Sequence, residues 1–327
     1  MVNINSILKI LVSATLLIIF LFFAGLQNVA EAIFTMDPFF ALLALSLTLP
    51  TTLFKIIRWK YIVRASNINI PFAEISRIFM IGFFFGVITP SKIGNIVKFH
   101  YLRKYHNVPA STGLSISVID RIFDIIILAA FSVIGIILIT TAAPTLFSLF
   151  AFIVIVLAMV TIAFNEKVFT KTAKFGILRI GSLKKLIRTQ GEINPDKAAE
   201  NLFRPFRQVK KPGIFYITLL LSALIWVTIG LQAYLVLVAM NTPIDPFQTI
   251  VFMGTGTLIG FLPITLSGLG VREGTFAFLL TTLGVSLNRG ISASLIAFVW
   301  GQIPPAFLGL IIYLFYKKRT ANPVRQQ

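Results

Sequence analysis

Two stretches of this 327-residue chain carry the same interrupted pattern, and nothing else in it limits the fold so strongly. Gly82 to Asn95 runs GFFFGVITPSKIGN, and Gly256 to Glu273 runs GTLIGFLPITLSGLGVRE. Each opens on a Gly-x-x-x-Gly pair, Gly82/Gly86 and Gly256/Gly260, and then meets a proline in apolar surroundings, Pro90 or Pro263. Each ends with glycine beside polar or charged groups. Proline has no N–H and clashes with the preceding turn, so a helix does not run through either stretch undisturbed. An interruption at membrane depth leaves backbone groups that hydrocarbon cannot satisfy, so it is stable only inside protein or against a water-filled cavity. Broken helices in matching places of two halves are the best sequence pointer to a transporter's binding site.

The setting is a membrane. The chain is 57% hydrophobic and 12% charged, with a mean hydropathy of +0.91. That excludes a soluble domain and implies several spans. The absence of cysteine excludes disulfides and Cys-ligated metals. A net charge of +18 could suggest nucleic acid, but the cations gather in a few loops between apolar segments. The positive-inside rule and anionic headgroups explain that placement, and nucleic acid is excluded as a partner.

Loop charge sets the expected topology. Ile7 to Leu26 is the first span, and Gln27 to Pro38, carrying only Glu31 and Asp37, is an outside loop. Phe39 to Ile57 returns and ends in Lys55, Arg58, Lys60 and Arg64, a cytoplasmic signature, with Trp59 and Tyr61 at the level of an interfacial aromatic belt. A full crossing by the first broken segment would invert every later loop. It would put the basic loop 165–212 outside, so a re-entrant hairpin over 75–105 is expected instead. Gly113 to Ala142, Thr145 to Phe164, Gly213 to Met240 and Ile291 to Tyr316 are the further spans, and a second re-entrant hairpin covers 248–288. In the loop 165–212, apolar residues from Phe169 to Ile187 mix with the cations, which fits a helix lying on an anionic membrane surface. The fold expected is an all-α polytopic membrane protein of six full spans and two oppositely oriented hairpins, with both termini cytoplasmic in the cell membrane. Residues 1–142 and 143–327 form the two halves of one integral domain. The glycine pairs recur at a shift of 174, and Gly113-Leu-Ser-Ile-Ser-Val-Ile is echoed by Gly290-Ile-Ser-Ala-Ser-Leu-Ile, so the halves look like an inverted repeat.

The candidate site follows from the breaks. The chain after each break starts a new half-helix, whose free N–H groups and dipole attract an anion. Thr89, Pro90, Ser91, Lys92, Gly94 and Asn95 in the first hairpin, and Ser267, Gly268, Gly270, Arg272 and Glu273 in the second, are the expected contacts to an anionic headgroup. Lys92 and Arg272 would reinforce the attraction, although Lys92 could also snorkel to the interface and Arg272 could simply pair with Glu273. Asp120, Arg121 and Asp124 lie on one face of the third span. They join the candidate site, with an ion pair pinning this helix to the hairpin through Lys92 or Lys98 as an equally good reading. The glycine pairs fit helix packing better than ligand binding. No metal-ligand, nucleophile or cofactor constellation accompanies them, so no cofactor is expected.

Pro90-Ser-Lys-Ile-Gly-Asn, then Asp120-Arg121-x-x-Asp124, then Leu262-Pro-x-x-x-Ser-Gly-Leu-Gly-Val-Arg-Glu273 resembles the flippase-like membrane domain of the lysylphosphatidylglycerol synthase family, over essentially the whole chain. The resemblance implies a lipid flippase. The family's aminoacyltransferase domain has no counterpart here, so aminoacyl-lipid synthesis is not implied and the chain is read as a non-enzyme. Many relatives carry an arginine after an aromatic in the last span, where this chain has Ala297-Phe298-Val299-Trp300. The leading expectation is a flippase or transporter that holds an anionic lipid headgroup between the hairpins while its tails stay in the bilayer. A membrane-embedded transferase using Asp120 or Asp124 as base, a small-solute or ion transporter, and an accessory subunit stand beside it. Membrane lipids are the expected partners, with a homo-oligomer or a separate envelope-lipid enzyme left open.

Overall fold

The structure is a computed structural model and describes residues 26–89, 94, 97–139, 165, 195–242, 244–261 and 270–319. These residues form helices α1 (Leu26–Thr35), α2 (Pro38–Ser46), α3 (Thr48–Ala65), α4 (Phe72–Ile88), α5 (Val97–His106), α6 (Ala110–Ile139), α7 (Pro195–Val209), α8 (Pro212–Ala239), α9 (Pro246–Gly260), α10 (Val271–Thr281) and α11 (Leu287–Arg319). Three helical stretches among them are long and apolar enough to cross a membrane: Pro38–Ala65, Pro212–Ala239 and Leu287–Tyr316. Nearly all of the first expected span, and all of Thr145 to Phe164, lie outside the described residues.

Helix starts follow from local chemistry. Asp37 caps α2 by accepting from the N–H groups of Phe39 and Phe40, and Asp245 caps α9 by accepting from Gln248. Proline follows each cap at the first helical position, where its missing N–H costs nothing. Three expectations are corrected. The stretch from Gln27 to Pro38 is mostly helix α1 rather than a loop. α3 continues to Ala65, well past Ile57, because nothing in Arg58 to Arg64 breaks a helix. Trp59, 1% exposed, packs in the interior against Phe79 instead of joining an interfacial belt.

Both interrupted stretches are interrupted helices. α4 stops at Ile88 and α5 resumes at Val97; α9 stops at Gly260 and α10 resumes at Val271. Each pair packs on itself, and each also packs on the long helix of the other half: α4 on α11, and α9 on α6. Glycine permits both of those approaches. A Cβ on Gly309 of α11 would stand 2.2 Å from the Met80 carbonyl oxygen, and one on Gly135 of α6 would stand 2.9 Å from Thr255 Oγ1. α7 turns Leu202, Phe203, Phe206 and Val209 inward while Arg204 and Arg207 stay exposed, and Ser115 Oγ donates to the Leu202 carbonyl at 2.5 Å. The part of the basic loop that is described therefore lies on protein, its apolar face covered by α6. The residues from Phe169 to Ile187 are outside the described set.

Buried residues fall into two cores. Ile62, Ile78, Leu102, Ile116, Phe123 and Phe206 centre the first, and Val236, Phe252, Phe276, Leu280, Ala293 and Ile296 the second. α3 and α8 pack together between them.

Candidate functional site

Where the two cores meet, α3, α4, α5, α6, α8, α9, α10 and α11 enclose a cavity of about 110 Å³. Its walls carry Lys55, Arg58, Lys98, Arg121 and Arg272 against Asp120 and Asp124, an excess of three positive charges. Charge at this depth is costly and is kept where it does something.

The two carboxylates are engaged. Arg58, 3% exposed, donates from NH1 to Asp124 Oδ1 at 2.6 Å and to Ser222 Oγ at 2.8 Å. Its NH2 stands 2.9 Å from Asp120 Oδ1, an ionic contact without the alignment of a hydrogen bond. Trp226 Nε1 donates to the same Asp124 oxygen at 2.9 Å, and Arg121 NH1 lies 3.6 Å from the other. A buried ion pair is tolerated when its remaining lone pairs and protons are met by hydrogen bonds, and Ser222 and Trp226 supply two of these, while Arg58 Nε and Asp120 Oδ1 have none among the described residues. Of the alternatives left open for this group, the ion pair is observed, and its partner on another helix among the described residues is Arg58 of α3 rather than Lys98, while Lys92 lies outside the described residues.

The remaining cations sit on aromatic faces. Lys98 Nζ is 4.2 Å from the Phe79 ring centroid and 5.5 Å from that of Trp59. The Lys98 stem fills the notch left by Gly82, where a Cβ would stand 2.2 Å from Lys98 Cγ. Arg272 stacks 4.4 Å over Phe298, and Arg121 5.7 Å over Phe261. Cation–π contacts of this kind hold a charge in place without neutralising it.

At the second break Arg272 hydrogen-bonds Glu273, whose other oxygen accepts the Gly270 N–H at 2.7 Å. Gly270 reaches this position with φ of 86°, a conformation that side-chain-bearing residues rarely adopt. The N–H of Gly270, at the start of α10, is thus met by that helix's own carboxylate. At the first break Thr89 Oγ1 donates to the Phe85 carbonyl at 2.5 Å and accepts the Gly94 N–H at 2.7 Å. Thr89 and Gly94 therefore satisfy each other. Pro90, Ser91, Lys92, Asn95, Ser267 and Gly268 lie outside the described residues. Asp120, Arg121, Asp124 and Arg272 are brought together on one cavity, while Gly270 and Glu273 buttress Arg272.

Lys55, Arg58 and Lys98 were not expected in the site. Ending the second span at Ile57 assigned the first two to a cytoplasmic cluster. The available signal was spacing: Thr51, Lys55 and Arg58 stand at i, i+4 and i+7, one helical face, and all three line the cavity.

A family model described as the lysylphosphatidylglycerol synthase TM region matches residues 6–309. A UPF0104 membrane protein of Methanothermobacter thermautotrophicus is 24% identical, over 97% of this chain and 94% of its own length. One from Pyrococcus horikoshii is 23% identical over 95% and 97%, and one from Methanocaldococcus jannaschii is 24% identical over 96% of each chain.

Proposed function

As the chain belongs to the family of lysylphosphatidylglycerol synthase transmembrane regions, we propose that it binds and moves an anionic phospholipid or lipid-linked headgroup across the cell membrane. One observation carries the reading: the cavity between the two broken helices keeps an excess of two positive charges after Asp120, Asp124 and the Glu273 that pairs with Arg272 are counted. A space of 110 Å³ has room for about four waters at about 30 Å³ each, the scale of a phosphate group rather than of a whole lipid. The tails of such a substrate stay in the bilayer.

In this reading α4–α5 and α9–α10 are re-entrant hairpins inserted from opposite faces, six full spans surround them, and both termini are cytoplasmic. Lys98, Arg121 and Arg272 are the ligands, helped by Lys55. Asp120 and Asp124 serve Arg58, so neither is free to act as a general base, and we read the chain as a carrier rather than a transferase.

The test is mass spectrometry of lipids that co-purify with the protein, followed by leaflet-to-leaflet movement of the lipid found, in proteoliposomes. Enrichment of anionic over zwitterionic lipid, with movement above that of protein-free vesicles, is expected. Equal retention of both classes together with no movement sinks the proposal.

A further inference from the structure

Helix boundaries in the two halves keep a constant displacement. α3 ends at Ala65 and α8 at Ala239, 174 apart, and each is followed two residues later by an asparagine with positive φ, Asn67 at 61° and Asn241 at 52°. Phe72 and Pro246, which start α4 and α9, are again 174 apart, as are Val97 and Val271, which start α5 and α10. α10 is one residue longer than α5 and the turn after it two residues longer, so α6 and α11 start 177 apart, at Ala110 and Leu287. The turns before them hold Asn107 and Gly284, also 177 apart and also at positive φ.

Side-chain contacts are exchanged in the same way. Arg58 donates to Ser222 at 2.8 Å, and Gln232 donates to Thr48 at 3.0 Å. Gln232 stands 174 after Arg58, and Ser222 stands 174 after Thr48. A contact that recurs with its partners swapped marks a two-fold relation. The partner number rises as the residue's own number falls, so α3 and α8 run antiparallel across the axis.

The charges on the cavity can be compared by this relation. Gln232, which is neutral, matches Arg58; Ala297 and Gly301, at the displacement of 177, match Asp120 and Asp124. All six residues line the cavity. Arg121 matches Phe298 at the same displacement, so Arg58 and Arg121 with the two carboxylates are one neutralised group, present in one half and absent as a whole from the other. A cation recurs at one pair of positions only among these: Lys98 and Arg272, 174 apart, each the second residue of its helix and each on the cavity wall. Lys98 is 6% exposed, and among the described residues no carboxylate lies within ion-pair distance of it. Arg272 Nε is buried and, among the described residues, has no hydrogen-bond acceptor. A buried donor left unmet in this way calls for a partner the protein does not itself supply.

We propose that Lys98 and Arg272 are a two-fold-related pair of ligands that grip one phosphate group between the hairpins. The inference rests on the anionic-headgroup reading above and names its chemistry. Arg272 offers planar, directed donors, and Lys98 a compact point charge, the two ways in which proteins hold phosphate. Because Glu273 already binds Arg272 on one side, the unmet Nε edge is the one left for the ligand.

The probe is phosphatidylglycerol in nanodiscs of phosphatidylcholine, with inorganic phosphate added in a separate arm. Retention of each lipid by the full-length protein is read by native mass spectrometry. The parent is expected to prefer phosphatidylglycerol and to lose it to inorganic phosphate. Lys98→Gln is expected to weaken retention about tenfold to a hundredfold, as for loss of one charged hydrogen bond. The double variant Arg272→Gln/Glu273→Gln, which strands no carboxylate, should fall by a similar factor. Lys98→Arg should retain lipid near the parental level, and Arg272→Lys, which keeps the charge but not the directed donors, should fall between the parent and the Arg272→Gln/Glu273→Gln variant. If Lys98→Gln does not accumulate, Lys98→Met tests the same charge on a similar stem. Parental retention by Lys98→Gln or Lys98→Met, or loss in the Arg272→Gln/Glu273→Gln variant alone, overturns the pair and leaves the anionic-lipid reading standing. A parent that prefers neither lipid, yet binds inorganic phosphate through Lys98, keeps the pair and refutes the lipid reading.

Discussion

Thr48 Oγ1 donates a 3.0 Å hydrogen bond to the carbonyl of Trp300, the group that Pro304, four residues on, cannot reach with an N–H. α11 runs through Pro304 and Pro305 because a side chain from the other half meets part of what they leave unbonded. Thr48 also accepts from Gln232 Nε2 at 3.0 Å. Thr48→Val should therefore strand two buried groups and cost about 1–3 kcal/mol, whereas Thr48→Ser should cost little. Thermal unfolding of the detergent-purified variants measures both, and equal stability for Val and Ser would refute the role.

Arg58 faces two carboxylates inside the protein. Arg58→Gln leaves them only Arg121, 3.6 Å from Asp124, as a counter-charge and should cost about 3–5 kcal/mol, lowering the yield of folded protein. Adding Asp120→Asn and Asp124→Asn to it should recover most of that loss, because the one charge then left without its partner is the partly exposed Arg121. A single Arg58→Gln variant as stable as the parent would show that the group is not a neutralised unit.

Two glycines of the first interrupted stretch should respond differently to alanine. A Cβ at Gly82 meets the Lys98 stem at 2.2 Å, a side chain that can shift, so Gly82→Ala should lower anionic-lipid retention while unfolding near the parental temperature. A Cβ at Gly94 meets the Phe85 carbonyl oxygen at 2.0 Å, a backbone atom that cannot move without opening the break. Gly94→Ala should therefore lower the unfolding temperature. Both measurements run on the same preparations, and the reverse ranking would contradict the packing described.

Topology is open to direct labelling, since the chain contains no cysteine of its own. Cysteines placed at Asn28, Asn241 and Asn288 should react with an impermeant thiol reagent from outside, and those at Asn67, Asn107 and Asn194 should not. Labelling of Asn107 from outside would mean that α4–α5 crosses fully, and the opposed-hairpin arrangement would fall.

By itself the sequence determined the class, the two interruptions and the repeat. Apolar stretches of this length have no soluble alternative, and Gly-rich segments holding Pro90 or Pro263 end a helix on local grounds, as they do at Ile88 and Gly260. The shift of 174 was visible in Gly82 and Gly256 because it needs only identity at a distance. What it did not determine was which charges meet. Arg58 lies 66 residues from Asp124 and 164 from Ser222, and only the packing of α3 against α6 and α8 brings the three together. From sequence Arg58 belonged with Lys60 and Arg64, because the end of a charged but unbroken helix carries no local stop signal. Lys98 is the same case. It was read as an alternative ion-pair partner for Asp120 and Asp124, and Gly82, on a neighbouring helix, supplies the notch that takes its stem against Phe79 and Trp59 instead. Local backbone chemistry is written along the chain, but a buried charge is placed by its partners, and partners are a property of the tertiary structure.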